Sequence, residues 1–239
     1  YEWKYVQPQL SKVCKLYGEV KVVFENGKLK FKLENYTPVE GIVHEIPIVG
    51  FQNTRINTLR LFESRGLSNQ KLKDLGLCDF IRNSEANNRY HSHCKQITDV
   101  LYPRDDHHEG KLLRMKQEYF CTTIGLQNII DEHMMKHNDI KSFHRYNVLH
   151  INDTHMSWVV PELMRILLDE FGLTWEDSWF ITQHSVTYTN HTVLQEAMEK
   201  WDIHMVKSLL PRIYMIIEEI NRRQNETYDK AIIRDNMII

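Results

Sequence analysis

Beyond residue 110 the chain alternates between helical and strand periodicity, and this alternation constrains the fold more than any other feature. From Lys111 to His137, Leu112, Met115, Tyr119, Leu126 and Ile130 recur at helical spacing. Leu113, Phe120 and Ile124 widen the stripe, which predicts a long, largely buried helix. Asn147 to Ile151 (NVLHI) predicts a short buried strand. Pro161 to Phe171 predicts a helix with Leu163, Ile166 and Leu167 inward and Gly172 closing it. Thr174 to Asp177 has the form of a capping box opening the next helix. Val186 to Thr189 is a second short strand. Pro211 suits the first turn of a helix to Arg223, with Ile213, Ile216, Ile217 and Ile220 on one face. Strand, helix, strand in this order implies a layered α/β fold with a parallel sheet.

The first third has a different texture. Glu19 to Glu25 (EVKVVFE) and Lys28 to Glu34 (KLKFKLE) alternate on either side of Asn26-Gly27, a type I′ turn signal, so a β-hairpin is predicted. Residues 41–49 and 57–62 are further strand candidates, and Phe80 to Leu101 is a polar helix. Residues 1–65 therefore read as a β-rich segment with a hairpin, and residues 66–239 as an α/β portion.

Charge and composition remove several function classes. Lys plus Arg is 30 against 32 for Asp plus Glu, a net charge of −2 in 239 residues. That is no footprint for a nucleic-acid partner. Hydrophobic residues at 42% exclude a disordered chain. No run approaches the ~20 apolar residues of a membrane span. Glu2, Lys4, Gln7, Pro8 and Lys12 interrupt any signal-peptide pattern, so a cytoplasmic location is expected. Cys14, Cys78, Cys94 and Cys121 lack CxxC spacing and read as reduced thiols. The sequons at Asn35, Asn152, Asn190 and Asn225 are read as unglycosylated.

Few segments carry recognisable chemistry. His133 and His137 lie four apart on a helix, as metal ligands can, but Met134 stands where HExxH needs its Glu. They are read as solvated surface histidines, and no metal is expected. His91 and His93 with Cys94, and His107 with His108, are equally weak. Neither GxGxxG nor GxxxxGK[ST] occurs. By contrast, Asn152-Asp153-Thr154-His155 follows the NVLHI strand directly, and Thr187-Tyr188-Thr189-Asn190-His191-Thr192 repeats the arrangement at the second strand. Polar residues at the carboxyl ends of buried strands are where α/β sheets place ligand sites. A carboxylate, two imidazoles and an amide suit sugar hydroxyls; alternatively, Asp153 and Asn190 are helix N-caps.

Several longer motifs resemble a known family. Leu101-Tyr102-Pro103, Glu109-Gly110-Lys111 and Arg114-Met115-Lys116-Gln117-Glu118-Tyr119-Phe120 are similar to the LYP…EGKELRLKQEYF segment of the α-glucan phosphorylases (glycogen, starch and maltodextrin phosphorylases). Asn152-Asp153-Thr154-His155 resembles their NDTHP, Pro161 to Arg165 their PELMR, and Tyr188 to Leu194 with Glu196-Ala197 their YTNHTVLPEAL. Leu209-Leu210-Pro211-Arg212 resembles LLPRH, and Asn57 to Leu61 resembles NT(L/M)RLW. The likeness runs in order from about residue 40 to 225.

The resemblance implies an α-1,4-glucan phosphorylase, which removes the non-reducing-end glucose by phosphate attack to give glucose 1-phosphate. It implies two Rossmann-like lobes facing a cleft (a GT-B glycosyltransferase), of which this chain is an interior piece of the N-terminal lobe. Pyridoxal phosphate would sit on a Lys of the C-terminal lobe, so this chain is expected to bind none and to be inactive alone. A homodimer is implied for the intact enzyme. Carried over by motif, His191 resembles the histidine at the cleaved glucose. Asp153, His155, Asn190 and Glu196 resemble residues lining the sugar sites. Tyr102 resembles an aromatic that stacks on an acceptor glucose, and Asp105 and Asp106 fall on a mobile gate loop. The chain departs from the pattern at Asp106 (commonly Asn), Met156 and Gln195 (both commonly Pro). Asp131 and Glu132 stand where animal enzymes carry two Arg for the AMP phosphate, so regulation by AMP is not expected. The alternative is a non-catalytic carbohydrate-binding or interaction module derived from the same lobe.

Overall fold

The computed structural model describes residues 4–25, 27–52, 54–194, 198–228, 233–234 and 236–238. The strands are β1 (Tyr5–Leu16), β2 (Glu19–Glu25), β3 (Lys28–Glu34), β4 (Thr37–Val49), β5 (Ile56–Arg65), β6 (Leu149–Asn152), β7 (Val186–Thr189), β8 (Trp201–Asp202), β9 (Ile233–Arg234) and β10 (Met237–Ile238). The α-helices are α1 (Asn69–Asp74), α2 (Ser84–Asp99), α3 (His108–His137), α4 (Phe143–Tyr146), α5 (Val159–Arg165), α6 (Trp175–Ser185), α7 (Ile203–Leu209) and α8 (Pro211–Tyr228). The class is mixed α/β with several small sheets. Strands β6 and β7 pair in parallel as a two-stranded sheet, narrower than the alternation suggests. No described helix is long and apolar enough to cross a membrane.

The chain divides into two compact units, residues 1–15 with 38–124 and residues 16–37 with 125–239. In the first, β1, β4 and β5 form one sheet, with β4 and β5 antiparallel from Glu40↔Arg65 to Val49↔Ile56. Helix α2 packs on β5. Ser64 donates through Oγ to the Cys94 carbonyl at 2.7 Å, and the Tyr90 hydroxyl donates to the Pro38 carbonyl at 2.8 Å. The polar look of α2 therefore conceals an inner face of Tyr90, Cys94 and Ile97, all buried. Buried Glu40 is held by Arg65 and Lys71. Burial alone would raise its pKa, but the two cationic hydrogen bonds outweigh burial and hold it below the usual range.

The four cysteines, all among the described residues, form no disulfide, as their spacing suggests, and they differ sharply in environment. Cys94 is buried, and burial pushes its thiol up to about 12. Burial also raises Cys121. Cys78 is exposed. Because the thiolate is the nucleophile, a thiol reagent at pH 8 is expected to label Cys78 rapidly and Cys94 only after unfolding. Mass-spectrometric mapping of modified peptides checks this; early label on Cys94 would show that α2 opens locally.

In the second unit, β2 and β3 pair from Glu19↔Glu34 to Glu25↔Lys28, the register the alternation predicts. Gly27 adopts φ +75 in the turn. The main core gathers Leu126, Ile130, Ile140, Phe143, Leu149, Ile151, Val159, Leu163, Ile166, Leu167 and Ile181. It is built from the later half of α3, from α4 to α6 and from the inner face of β6. The segment Ile166–Glu170 is π-helical and is followed by Gly172 at φ +66. Thr174 caps α6 by accepting from the Asp177 N–H at 3.1 Å. Arg212, second residue of α8, forks onto both oxygens of Asp169 at 2.7 Å and stacks over the Phe31 ring.

One expectation fails here. His133 is 2% exposed, not solvated. Asn147 donates through Nδ2 both to the Phe143 carbonyl (3.1 Å) and to His133 Nδ1 (3.0 Å). His133 Nε2 then donates to the Asp139 carbonyl at 2.8 Å. The ring is a structural tie closing the turn after α3. His137 is exposed and stacks on Tyr146 at 3.8 Å between centroids.

Candidate functional site

Strand β6 alternates: Leu149 and Ile151 are buried, His150 and Asn152 exposed. It lies parallel to β7 in the register Leu149↔Val186 to Asn152↔Thr189. Parallel strands need a crossover, here α5, the π-helical turn and α6. The crossover brings the carboxyl ends of both strands side by side, so two polar segments separated by more than thirty residues meet.

The meeting is specific. The Asp153 N–H donates to the Thr189 carbonyl at 2.9 Å, extending the ladder by one step. Asp153 then turns into the left-handed region at φ +58, an uncommon conformation for a residue with a Cβ. Its carboxylate accepts from the His191 N–H at 2.9 Å. The His191 ring lies with Nε2 3.1 Å from Asn152 Oδ1. Asn190 closes its own turn, donating through Nδ2 to the Thr192 carbonyl at 2.6 Å and accepting from the Thr192 N–H at 3.3 Å. A second knot lies beside it. Thr154 donates through Oγ1 to Glu199 Oε2 at 3.0 Å, and His155 Nδ1 lies 3.1 Å from Glu199 Oε1.

The N-cap alternative is therefore wrong for Asp153. The next helix, α5, is capped at Trp158 without a side-chain hydrogen bond, and a left-handed residue cannot serve as an extended N-cap. Residues 191–194 after Asn190 adopt no helix either. Both polar segments are loops at strand ends, the geometry that favours ligand sites in α/β sheets.

Asn152, Asp153, Thr154, His155, Asn190 and His191 are thus brought into one neighbourhood. Glu196 lies outside the described residues. Tyr102, Asp105 and Asp106 belong to the other unit and lie in the connection between α2 and α3. Tyr102 is 93% exposed at φ +50, and Asp105 and Asp106 are exposed, with Arg104 paired to Asp106. That connection folds back onto the first turn of α3: a Cβ on Gly110 would lie 1.6 Å from the Arg104 carbonyl oxygen, so only glycine fits. Glu199 and Asn152, which the sequence reading does not single out, join this neighbourhood. Asn152 sits inside the NDTH motif, so the motif itself held the signal. Glu199 has none, since its role depends on an approach to Thr154 across 45 residues.

What the gathered groups can do is limited by their chemistry. They comprise amides, imidazoles, hydroxyls and carboxylates, a set matched to a neutral polyhydroxylated ligand. None of the hydrogen-bonded groups is an amine that could form a Schiff base, so the site does not fit pyridoxal phosphate as its holder.

Comparison with known proteins gives a consistent result. The family described as carbohydrate phosphorylase matches residues 1–239. Glycogen phosphorylase of Bacillus subtilis is 43% identical over 207 residues, 87% of this chain and 24% of that protein. The α-glucan phosphorylase H isozyme of Solanum tuberosum is 36% identical over 230 residues (92% and 26%). The muscle form of glycogen phosphorylase of Ovis aries is 35% identical over 229 residues (92% and 26%). The chain spans about a quarter of the length of these curated relatives.

Proposed function

This chain belongs to the carbohydrate phosphorylase family, and from that premise we propose that it supplies the glucan-binding strand ends of an α-1,4-glucan phosphorylase. The parent enzyme would transfer the non-reducing-end glucose of the glucan to phosphate. The segment would form part of the N-terminal Rossmann-like lobe of a GT-B glycosyltransferase, soluble in the cytoplasm and dimeric when intact. The observation that carries the reading is the convergence of Asp153 and His191, 38 residues apart, at the ends of the parallel strands β6 and β7.

In this reading His191 contacts the glucose at the cleaved bond. Asp153, His155, Asn190 and Glu196 line the sugar sites. Tyr102 offers an apolar ring face for an acceptor sugar, and Asp105 and Asp106 sit on the loop beside it. Pyridoxal phosphate would be held by a part of the parent enzyme outside this chain, so the chain alone is without turnover.

A chimera tests this. Residues 1–239 replace the matching segment of the Bacillus subtilis glycogen phosphorylase, and glucose 1-phosphate release from glycogen is measured. The expected result is retained phosphorolysis and, in His191→Ala, a loss of at least about a hundredfold, the scale of losing several interactions made to the reacting sugar. A folded chimera with His191 intact and no phosphorolysis would overturn the proposal. It would leave the non-catalytic sugar-binding module as the reading to pursue.

A further inference from the structure

His191 is exposed, yet it is fixed at two points. Its backbone N–H is taken by Asp153 Oδ1 at 2.9 Å, and its ring Nε2 faces Asn152 Oδ1 at 3.1 Å. Consecutive residues at the end of one strand thus grip the backbone and the ring of a single residue at the end of the next. An exposed side chain gains little packing by being held, and holding it costs rotamer freedom. Such a ring is set in place before a ligand arrives.

A neutral imidazole carries one N–H and one lone pair, and the hydrogen bond made by one nitrogen decides the state of the other. An amide oxygen opposite Nε2 requires the proton on Nε2. The lone pair then resides on Nδ1, which becomes an acceptor for a hydroxyl.

We infer that Asn152 is a positioning residue for His191: it holds the proton on Nε2 and so presents Nδ1 as the acceptor of a sugar hydroxyl. Asn152 does not itself touch the sugar. The identity of the hydroxyl-bearing ligand rests on the function proposed above; the tautomer does not.

The test uses the 239-residue chain labelled with 15N at histidine, with the His191 signals assigned by loss in His191→Gln. Long-range proton–nitrogen correlations recorded in mildly alkaline solution report which nitrogen is protonated. The expected result is Nε2–H in the wild type, a mixture of tautomers in Asn152→Ala, and Nε2–H restored in Asn152→Asp. Aspartate can only accept, so rescue by Asn152→Asp identifies the oxygen as the partner. Nδ1–H in the wild type, or no change in Asn152→Ala while the amide spectrum shows a folded chain, overturns the inference.

A kinetic arm in the chimera reads the consequence. Asn152→Ala should lower kcat/KM about tenfold, the effect of one misdirected hydrogen bond, and Asn152→Asp should recover most of it. Equal kcat/KM in wild type and Asn152→Ala also counts against the positioning role. A chimera inactive with Asn152 intact counts against the proposed function and leaves the tautomer result standing.

Discussion

Replacing Arg165 by leucine is expected to destabilise the protein by about 3–5 kcal/mol, the scale of breaking one partner out of a buried ion pair. Glu162 is fully buried, at 0% exposure. Arg165 grips both of its oxygens, Nε to Oε2 and Nη2 to Oε1, each at 2.8 Å. The guanidinium also reaches Glu170 at 2.9 Å. In Arg165→Leu the Glu162 carboxylate keeps its burial and loses its fork of donors. The double variant Glu162→Leu, Arg165→Leu removes both charges and should recover most of the loss, because an apolar pair of similar size carries no desolvation cost. Urea denaturation of the three proteins checks both statements. A loss under ~1 kcal/mol in Arg165→Leu would show that Glu162's other partners suffice.

That ion pair explains a motif that the sequence presents only as a resemblance. In Pro161-Glu162-Leu163-Met164-Arg165 the i,i+3 spacing places the acid and the arginine on one helix face. Leu163 and Met164 fall on the buried face between them. Leu209 to Arg212 is similar: Arg212 is the fork onto Asp169. Neither partner is adjacent in sequence to the motif that carries the arginine in the second case, and no period announces it.

Local chemistry made other elements legible. The β2–β3 register follows from the turn signal Asn26-Gly27 and the alternation of the flanking strands, regular throughout β3. The start of α6 follows from the Thr174 cap, and the start of α8 from Pro211. Strands β6 (LHIN) and β7 (VTYT) stand out as short runs rich in β-branched, aliphatic and aromatic residues beside helical segments. Less legible were the features that depend on distant residues. His133 reads as surface because it sits near the end of a long helix among Glu132, Met134 and Lys136. It is buried because Asn147 and the Asp139 carbonyl reach back to it. Strand β1 contains Pro8, Lys12 and Lys15, which dilute its alternation. Asp153 reads equally well as a cap and as a ligand, since both uses favour a short acidic side chain after a strand; its positive φ removes the cap. The short α7 (IHMVKSL) is too brief for periodicity to establish.

Leu163→Ala should cost about 3–4 kcal/mol, within the range for emptying a fully buried leucine site. Leu163 is 0% exposed and belongs to the core that includes Leu149 and Ile151 of β6, with Val186 of β7 packed against it. A void there removes support from the inner face of the two strands whose ends carry Asp153 and His191. The neighbours Ile166, Leu167 and Phe143 are themselves at 1% exposure or less, so little free volume exists for collapse into the gap and most of the penalty should persist. Two measurements follow. Urea denaturation should show the loss in midpoint. Hydrogen exchange should show the amides of residues 149–153 and 186–191 opening faster than those of β2 and β3, because the subglobal opening begins where packing was removed. A loss below ~1 kcal/mol would mean that the core repacks around the alanine. Uniform acceleration across the unit would mean that β6 and β7 share one cooperative opening with the hairpin, in which case the strand ends draw their rigidity from the whole unit and not from Leu163's neighbours.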